Sequence, residues 1–245
     1  MSKKPPSTPA DWVWIAFLVW TAIGFVVMLL GIGESQLNAW GLNAAVGFLH
    51  TADAIWILLA AISVYLHTAE AEGIGVARTW AAIILASSSL VEWIGVRTGI
   101  PFGEYAYTDH FGWRMGGVLP VAIPLAWLVI LLCSRVLVLR FRPYAGRVEL
   151  ATGVALLAVL TDLNLEFVAW KVRAYWIWYP SLGDRAPAWP PVQNYVTWFA
   201  LMWLLTFLLP PNHAMRPRPV SSTRPILILA LMTALFLAVH LRAKW

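Results

Sequence analysis

The sequence predicts an all-α fold, a polytopic membrane helical bundle with about seven transmembrane helices, and three observations point to it. Of the 245 residues, 60% are apolar and 12% are charged, about half the charge of a water-soluble domain. Whole stretches of about 20 residues carry little or no charge, the length a helix needs to cross about 30 Å of hydrocarbon. The connections between these stretches concentrate Pro, Gly and Arg, as turns at a membrane surface do.

Residues 1–11 read as a polar tail with two lysines and three prolines, and residues 12–245 as one transmembrane domain. Spans are expected near 12–31, 44–67, 78–97, 117–139, 149–171, 192–210 and 224–242. The first is too long for a signal peptide and has no small-residue cleavage site, so it stays attached. Many of the 16 tryptophans, among them Trp12, Trp14, Trp40 and Trp170, lie near span ends as interfacial anchors. An odd span count puts the termini on opposite faces. One face then holds ten Lys and Arg residues, with four in the connection from span four to span five, and the other holds seven. The positive-inside bias places the N-terminus in the cytoplasm and the chain in the cell membrane.

Most of the deep-set polar side chains fall in four spans: His50 and Asp53 in span two, Glu92 in span three, Asp162, Asn164 and Glu166 in span five, and Asn194 in span six. At a rise of about 1.5 Å per residue, Glu92 and Glu166 lie roughly 7 Å inside the non-cytoplasmic ends of their helices, and Asp53 and Asp162 roughly 13 Å. All four acids therefore share one leaflet. Asp162 and Glu166, four apart, share a helix face, as do His50 and Asp53 at a spacing of three. Intramembrane carboxylates are costly and face a bundle interior, so each is a candidate functional group. The alternative is interhelical hydrogen bonding that only locks the bundle, with Arg97, Lys171 or Arg173 neutralising an acid.

Two connections cap this leaflet. Arg97 to Asp109 holds Gly99, Pro101 and Gly103, which enforce turns, and interleaves Phe102, Tyr105 and Tyr107 with Glu104. It reads either as an aromatic lid that folds into the bundle or as an interfacial belt. The connection through Tyr175-Trp-Ile-Trp-Tyr-Pro180 to Asn194 is equally aromatic and stiffened by proline.

Other chemistries find little support. The single cysteine, Cys133, lies in an apolar run, which excludes disulfide frameworks and thiolate metal clusters. There is no zinc-binding histidine spacing and no phosphate-binding glycine loop. The net charge of +5 is not gathered into a basic tract, so nucleic acid is not an expected partner. Ser87, Ser88 and Ser89 sit in mid-span, where hydroxyls usually bond backbone. Nothing in the sequence sets an oligomeric state.

One long pattern is specific. Glu92-x-x-Gly95-x-x-Thr98-Gly99-x-Pro101-Phe102-Gly103-x-Tyr105-x-Tyr107-Thr108, followed by Pro120-x-x-x-Pro124-x-x-Trp127, resembles the membrane-integral carotenoid biosynthesis family typified by carotenoid 1,2-hydratases and bisanhydrobacterioruberin hydratase. Asp162-Leu-Asn-Leu-Glu166, Trp176-x-Trp178 and Pro191-x-x-Asn194-x-x-x-Trp198 resemble the family's second block. Where the family more often has Asp-Pro, this chain has Glu166-Phe167, and it lacks a glycine near Trp189.

The resemblance implies addition of water across the terminal carbon–carbon double bond of an acyclic carotenoid end group. Protonation at C-2 of such an end gives a tertiary cation at C-1, which calls for a protonated acid beside an apolar pocket and a held water. Asp162 or Glu166 is the expected proton donor, with Glu92 and Asp53 completing the acid network. Phe102, Glu104, Tyr105, Tyr107, Trp176 and Trp178 are candidates for the end-group pocket, with Asn194 and His50 as further polar contacts. The reaction requires neither a cofactor nor a metal, and the expected partners are a lipophilic carotenoid and membrane lipid. Two other functions compete: a proton-coupled transporter using the acids as a relay, and a non-catalytic carotenoid-binding membrane protein.

Overall fold

The structure is a computed structural model that describes residues 8–209 and 223–242. Most of the expected tail and five of the basic residues used for topology, Lys3, Lys4, Arg216, Arg218 and Lys244, lie outside the described residues. Each expected span coincides with a helix: α1 (Pro9–Leu30), α3 (Asn43–Glu72), α4 (Ile74–Thr98), α5 (Ala122–Phe141), α6 (Arg147–Glu166), α7 (Val192–Leu208) and α8 (Arg224–Arg242), with a short α2 (Glu34–Ala39) between the first two. Six are long and apolar enough to cross a bilayer. The other, α7, has 17 residues, the lower limit for a span. The protein is a multi-pass membrane protein.

Helix ends follow local chemistry. The Thr8 hydroxyl accepts the Asp11 N–H at 3.3 Å while the Asp11 carboxylate accepts the Thr8 N–H at 2.8 Å, a reciprocal cap with Pro9 in the first turn. Only Gly73, at φ 97°, separates α3 from α4, so both helices run several residues past the expected boundaries. α5 begins at Ala122 rather than 117, because Arg114–Met115 (β2) and Leu119–Pro120 (β3) pair across a turn carrying Gly116 and Gly117. That stretch is as apolar as a helix start, and only its glycine pair and Pro120 speak against one. α6 runs on into a π-helical turn, Phe167–Val172.

Packing centres on α5. Val129, Ile130, Leu131 and Cys133 are wholly buried, and α3, α4, α6 and α8 surround them. A helix buried on all sides is apolar on all sides, which explains why α5 carries so few polar residues. By contrast α1 lies at the edge, against α3 and α8, and exposes Trp12, Ile15, Val19, Ile23 and Val26 as a lipid-facing surface. Ser88 donates to the carbonyl of Ile84 at 2.7 Å, the backbone bond expected of a hydroxyl in a span.

Candidate active site

The two aromatic connections are joined. Tyr105–Tyr107 (β1) pairs antiparallel with Trp176–Trp178 (β4), Tyr105 opposite Trp178 and Tyr107 opposite Trp176. The Thr108 N–H to the Tyr175 carbonyl and the Tyr179 N–H to the Glu104 carbonyl, both 2.9 Å, extend the ribbon at either end. Because strand side chains alternate, the four rings of Tyr105, Tyr107, Trp176 and Trp178 face the bundle, while Ile177 is turned out and exposed.

Glycines allow the ribbon to sit close. A Cβ on Gly95 of α4 would come within 2.7 Å of both the Phe102 ring and the Tyr105 hydroxyl. At Gly103, φ 111°, a Cβ would meet the Pro191 ring at 2.5 Å. The Thr197 hydroxyl of α7 donates to the Pro101 carbonyl at 2.8 Å, tying the loop to the bundle, and the Ile100–Pro101 peptide is cis.

Under the ribbon lie three buried acids, each bonded in a different way. Glu92 Oε2 accepts from the hydroxyls of Tyr105 and Tyr107, both at 2.8 Å, and Oε1 from the Trp127 indole at 3.0 Å. Glu166 Oε2 accepts from the indoles of Trp176 and Trp178, at 3.3 and 3.0 Å. One amide, Asn194 Nδ2, donates both to Glu166 Oε1 at 3.2 Å and to Asp162 Oδ2 at 2.9 Å. Asp162 Oδ1 has no hydrogen-bond partner among the described residues. Burial first, and the Glu92 carboxylate second, push the phenols of Tyr105 and Tyr107 well above their usual range, so both remain neutral O–H donors.

These groups line a cavity of about 60 Å³. Trp127 and Trp198 stack at 4.1 Å along one wall, and Phe111 and Tyr175 at 4.0 Å along another. Ile57, Ile130, Met232 and Phe236 add apolar side chains to its lining. The cavity thus combines carboxyl groups, neutral donors and aromatic faces in a water-poor setting, a combination suited to proton transfer onto an apolar molecule. Among the described residues no three His, Cys, Asp or Glu side chains converge as a metal site.

Of the residues singled out from the sequence, Glu92, Phe102, Tyr105, Tyr107, Asp162, Glu166, Trp176, Trp178 and Asn194 all line this cavity. Three others lie outside its walls. Asp53 accepts from the Tyr175 hydroxyl and pairs with Arg173 at 3.4 Å. The His50 ring lies 4.7 Å from that of His110. Glu104 accepts from the backbone and hydroxyl of Ser181, at 3.0 and 2.6 Å, on the exposed side of the ribbon. Depth along a helix set Asp53 level with the other acids, but depth does not give the direction a helix face takes within the bundle. Trp127, Trp198, Phe111 and Tyr175 were not among the expected pocket residues. The first two carried a signal, since each ends one of the proline-led motifs quoted above.

Comparison with known proteins agrees with this architecture. The family model of the carotenoid biosynthesis protein matches residues 52–244, which takes in every acid of the site. Neither a curated protein nor a solved structure matches the chain. A match over that length gives the protein a role in carotenoid biosynthesis, and the chain belongs to the carotenoid biosynthesis protein family.

Proposed function

We propose that the protein is a cofactor-independent hydratase that adds water to the terminal C=C of an acyclic carotenoid end group. The observation that carries this reading is the pair Asp162 and Glu166, bridged by Asn194 and opening onto an aromatic cavity. Asp162 in its acid form delivers a proton from Oδ1 to C-2 of the isopropylidene end, and the π electrons of the C=C form the new C–H bond. The positive charge then rests on C-1, a tertiary cation shielded by the faces of Tyr and Trp rings. Water attacks C-1, and its surplus proton passes to Glu166 in its carboxylate form. Transfer of that proton from Glu166 to Asp162 restores the starting state, with one water consumed and no change in electron count.

Glu92 works through its donors. Holding the hydroxyls of Tyr105 and Tyr107 and the Trp127 indole fixes three rings around the end group, which is positioning rather than proton transfer. A carotenoid dissolves only in the bilayer, so it enters sideways with its reactive tip toward the acids. The cell membrane, with the N-terminus cytoplasmic, is the setting proposed for the reaction.

The test is co-expression in a cell that accumulates lycopene or another acyclic-ended carotenoid, with pigments separated by chromatography and weighed by mass spectrometry. A gain of one water that disappears in Asp162→Asn or Glu166→Gln, at unchanged protein level, is the expected result. Stable protein that adds no water to any acyclic carotenoid would overturn the hydratase reading.

A further inference from the structure

The end of α3 that bears Asp53 touches both halves of the lid. Asp53 Oδ2 accepts from the Tyr175 hydroxyl and lies 3.4 Å from Arg173 Nε, so it holds the chain where the π-helical turn of α6 gives way to the ribbon. Between those two residues Ala174 has φ 49°, a left-handed conformation that a residue with a Cβ keeps only when its surroundings impose it. The Thr108 hydroxyl donates to the Ala174 carbonyl from the other strand. One residue along α3, the Ala54 methyl sits where a Cβ on Gly112 would come within 2.9 Å, so the loop that follows β1 rests directly on the helix. The His110 ring of the same loop lies against that of His50.

Tyr175 reaches in both directions. Its ring is a wall of the cavity, stacked on Phe111 at 4.0 Å and 11°, and its hydroxyl leaves the cavity for Asp53. Burial, and then the Asp53 charge, keep that phenol neutral and donating, while Asp53 in turn holds the Arg173 guanidinium charged. The neighbouring residues Trp176 and Trp178 carry the indoles that bind Glu166. A shift of Tyr175 is therefore passed along one strand to the donors of an acid.

We propose that Asp53 is a positioning residue: through Tyr175 and Arg173 it clamps the β1–β4 ribbon onto α3 and thereby fixes the aromatic walls and the indole donors of Glu166. The proposal rests on the hydratase reading for its kinetic arm only, because the clamp itself has a readout that needs no activity.

The test compares Asp53→Ala, Tyr175→Phe and the double variant of the full chain in lipid nanodiscs, by amide hydrogen exchange and by hydration kinetics. Each single variant should raise exchange in peptides covering 104–108 and 175–179 by about tenfold, the scale of a lost hydrogen bond to a charged group. The double variant should go no further than Asp53→Ala, and peptides within α5 should be unchanged. Hydration should lose kcat by about tenfold with KM near the wild-type value, since the pocket keeps its rings but loses their alignment. Wild-type exchange in the ribbon, or additive effects of the two substitutions, would overturn the clamp. Should Asp53→Ala fail to fold, Tyr175→Phe decides alone, as it keeps the ring and removes only the hydroxyl. A wild-type protein that hydrates nothing would sink the hydratase reading, and the exchange data would still decide the clamp.

Discussion

Replacing Asp162 by Asn keeps the shape of the side chain and its bond to Asn194 but removes the acid proton from Oδ1, the one oxygen of the three buried acids without a hydrogen-bond partner among the described residues. Loss of general-acid catalysis costs about 10²–10⁴-fold, so Asp162→Asn should lower hydration by at least about a hundredfold at constant protein level, measured as the ratio of hydrated to unreacted pigment. Tyr105→Phe and Tyr107→Phe each take one of the two hydroxyl donors from Glu92 Oε2. A donor to a buried charged or polar acceptor is worth about 1.5–3 kcal/mol, and because its effect on the reaction is indirect, each single variant should slow turnover by about tenfold or less. The double variant should lose more than either alone, read from initial rates. At this scale the site was largely legible. Carboxyl groups inside apolar spans stand out whatever surrounds them, and Asp162, Glu166 and Asn194 do meet. Asp53 shows where that logic stops, because its partner Tyr175 comes from a loop whose path no periodicity describes.

The ribbon depends on two close approaches, and both are testable by adding one methyl group. Gly95→Ala drives a Cβ to within 2.7 Å of the Phe102 ring and the Tyr105 hydroxyl, and Gly103→Ala meets Pro191 at 2.5 Å from a φ of 111°. Overpacking of this kind costs about 1–3 kcal/mol, so both should lower the unfolding midpoint in detergent and reduce activity. Gly24→Ala in α1, where a Cβ meets nothing within 4 Å, should leave the midpoint unchanged or raise it. The ribbon itself was readable in part. Tyr-x-Tyr and Trp-x-Trp alternate with the period of a strand, but three residues are too few to separate a strand from a turn, and the paired rings are far apart in sequence, Tyr107 opposite Trp176 and Tyr105 opposite Trp178. The π-helical turn and α2 left no signal in the apolar pattern, since neither changes the composition by which a span is recognised.

For the whole molecule, the span pattern was the strongest signal in the sequence, because a bilayer forces every backbone polar group to pair within its own helix. Orientation can be measured cleanly, since the only cysteine, Cys133, is wholly buried. Single cysteines at Tyr144, between α5 and α6, and at Trp189, between the π-helical turn and α7, replace highly exposed side chains. A membrane-impermeant thiol reagent should label the Trp189 position from outside intact cells and the Tyr144 position only after lysis, following Arg140, Arg142 and Arg147, which flank the latter. The most direct test of acid-catalysed hydration is to incubate the purified protein with an acyclic-ended carotenoid in isotopically labelled water. Protonation at C-2 followed by water attack at C-1 predicts a tertiary alcohol whose oxygen comes from the solvent, with one solvent hydrogen on the neighbouring carbon, and no such product from Asp162→Asn. An alcohol oxygen that does not come from water, or full labelling by Asp162→Asn, would contradict it.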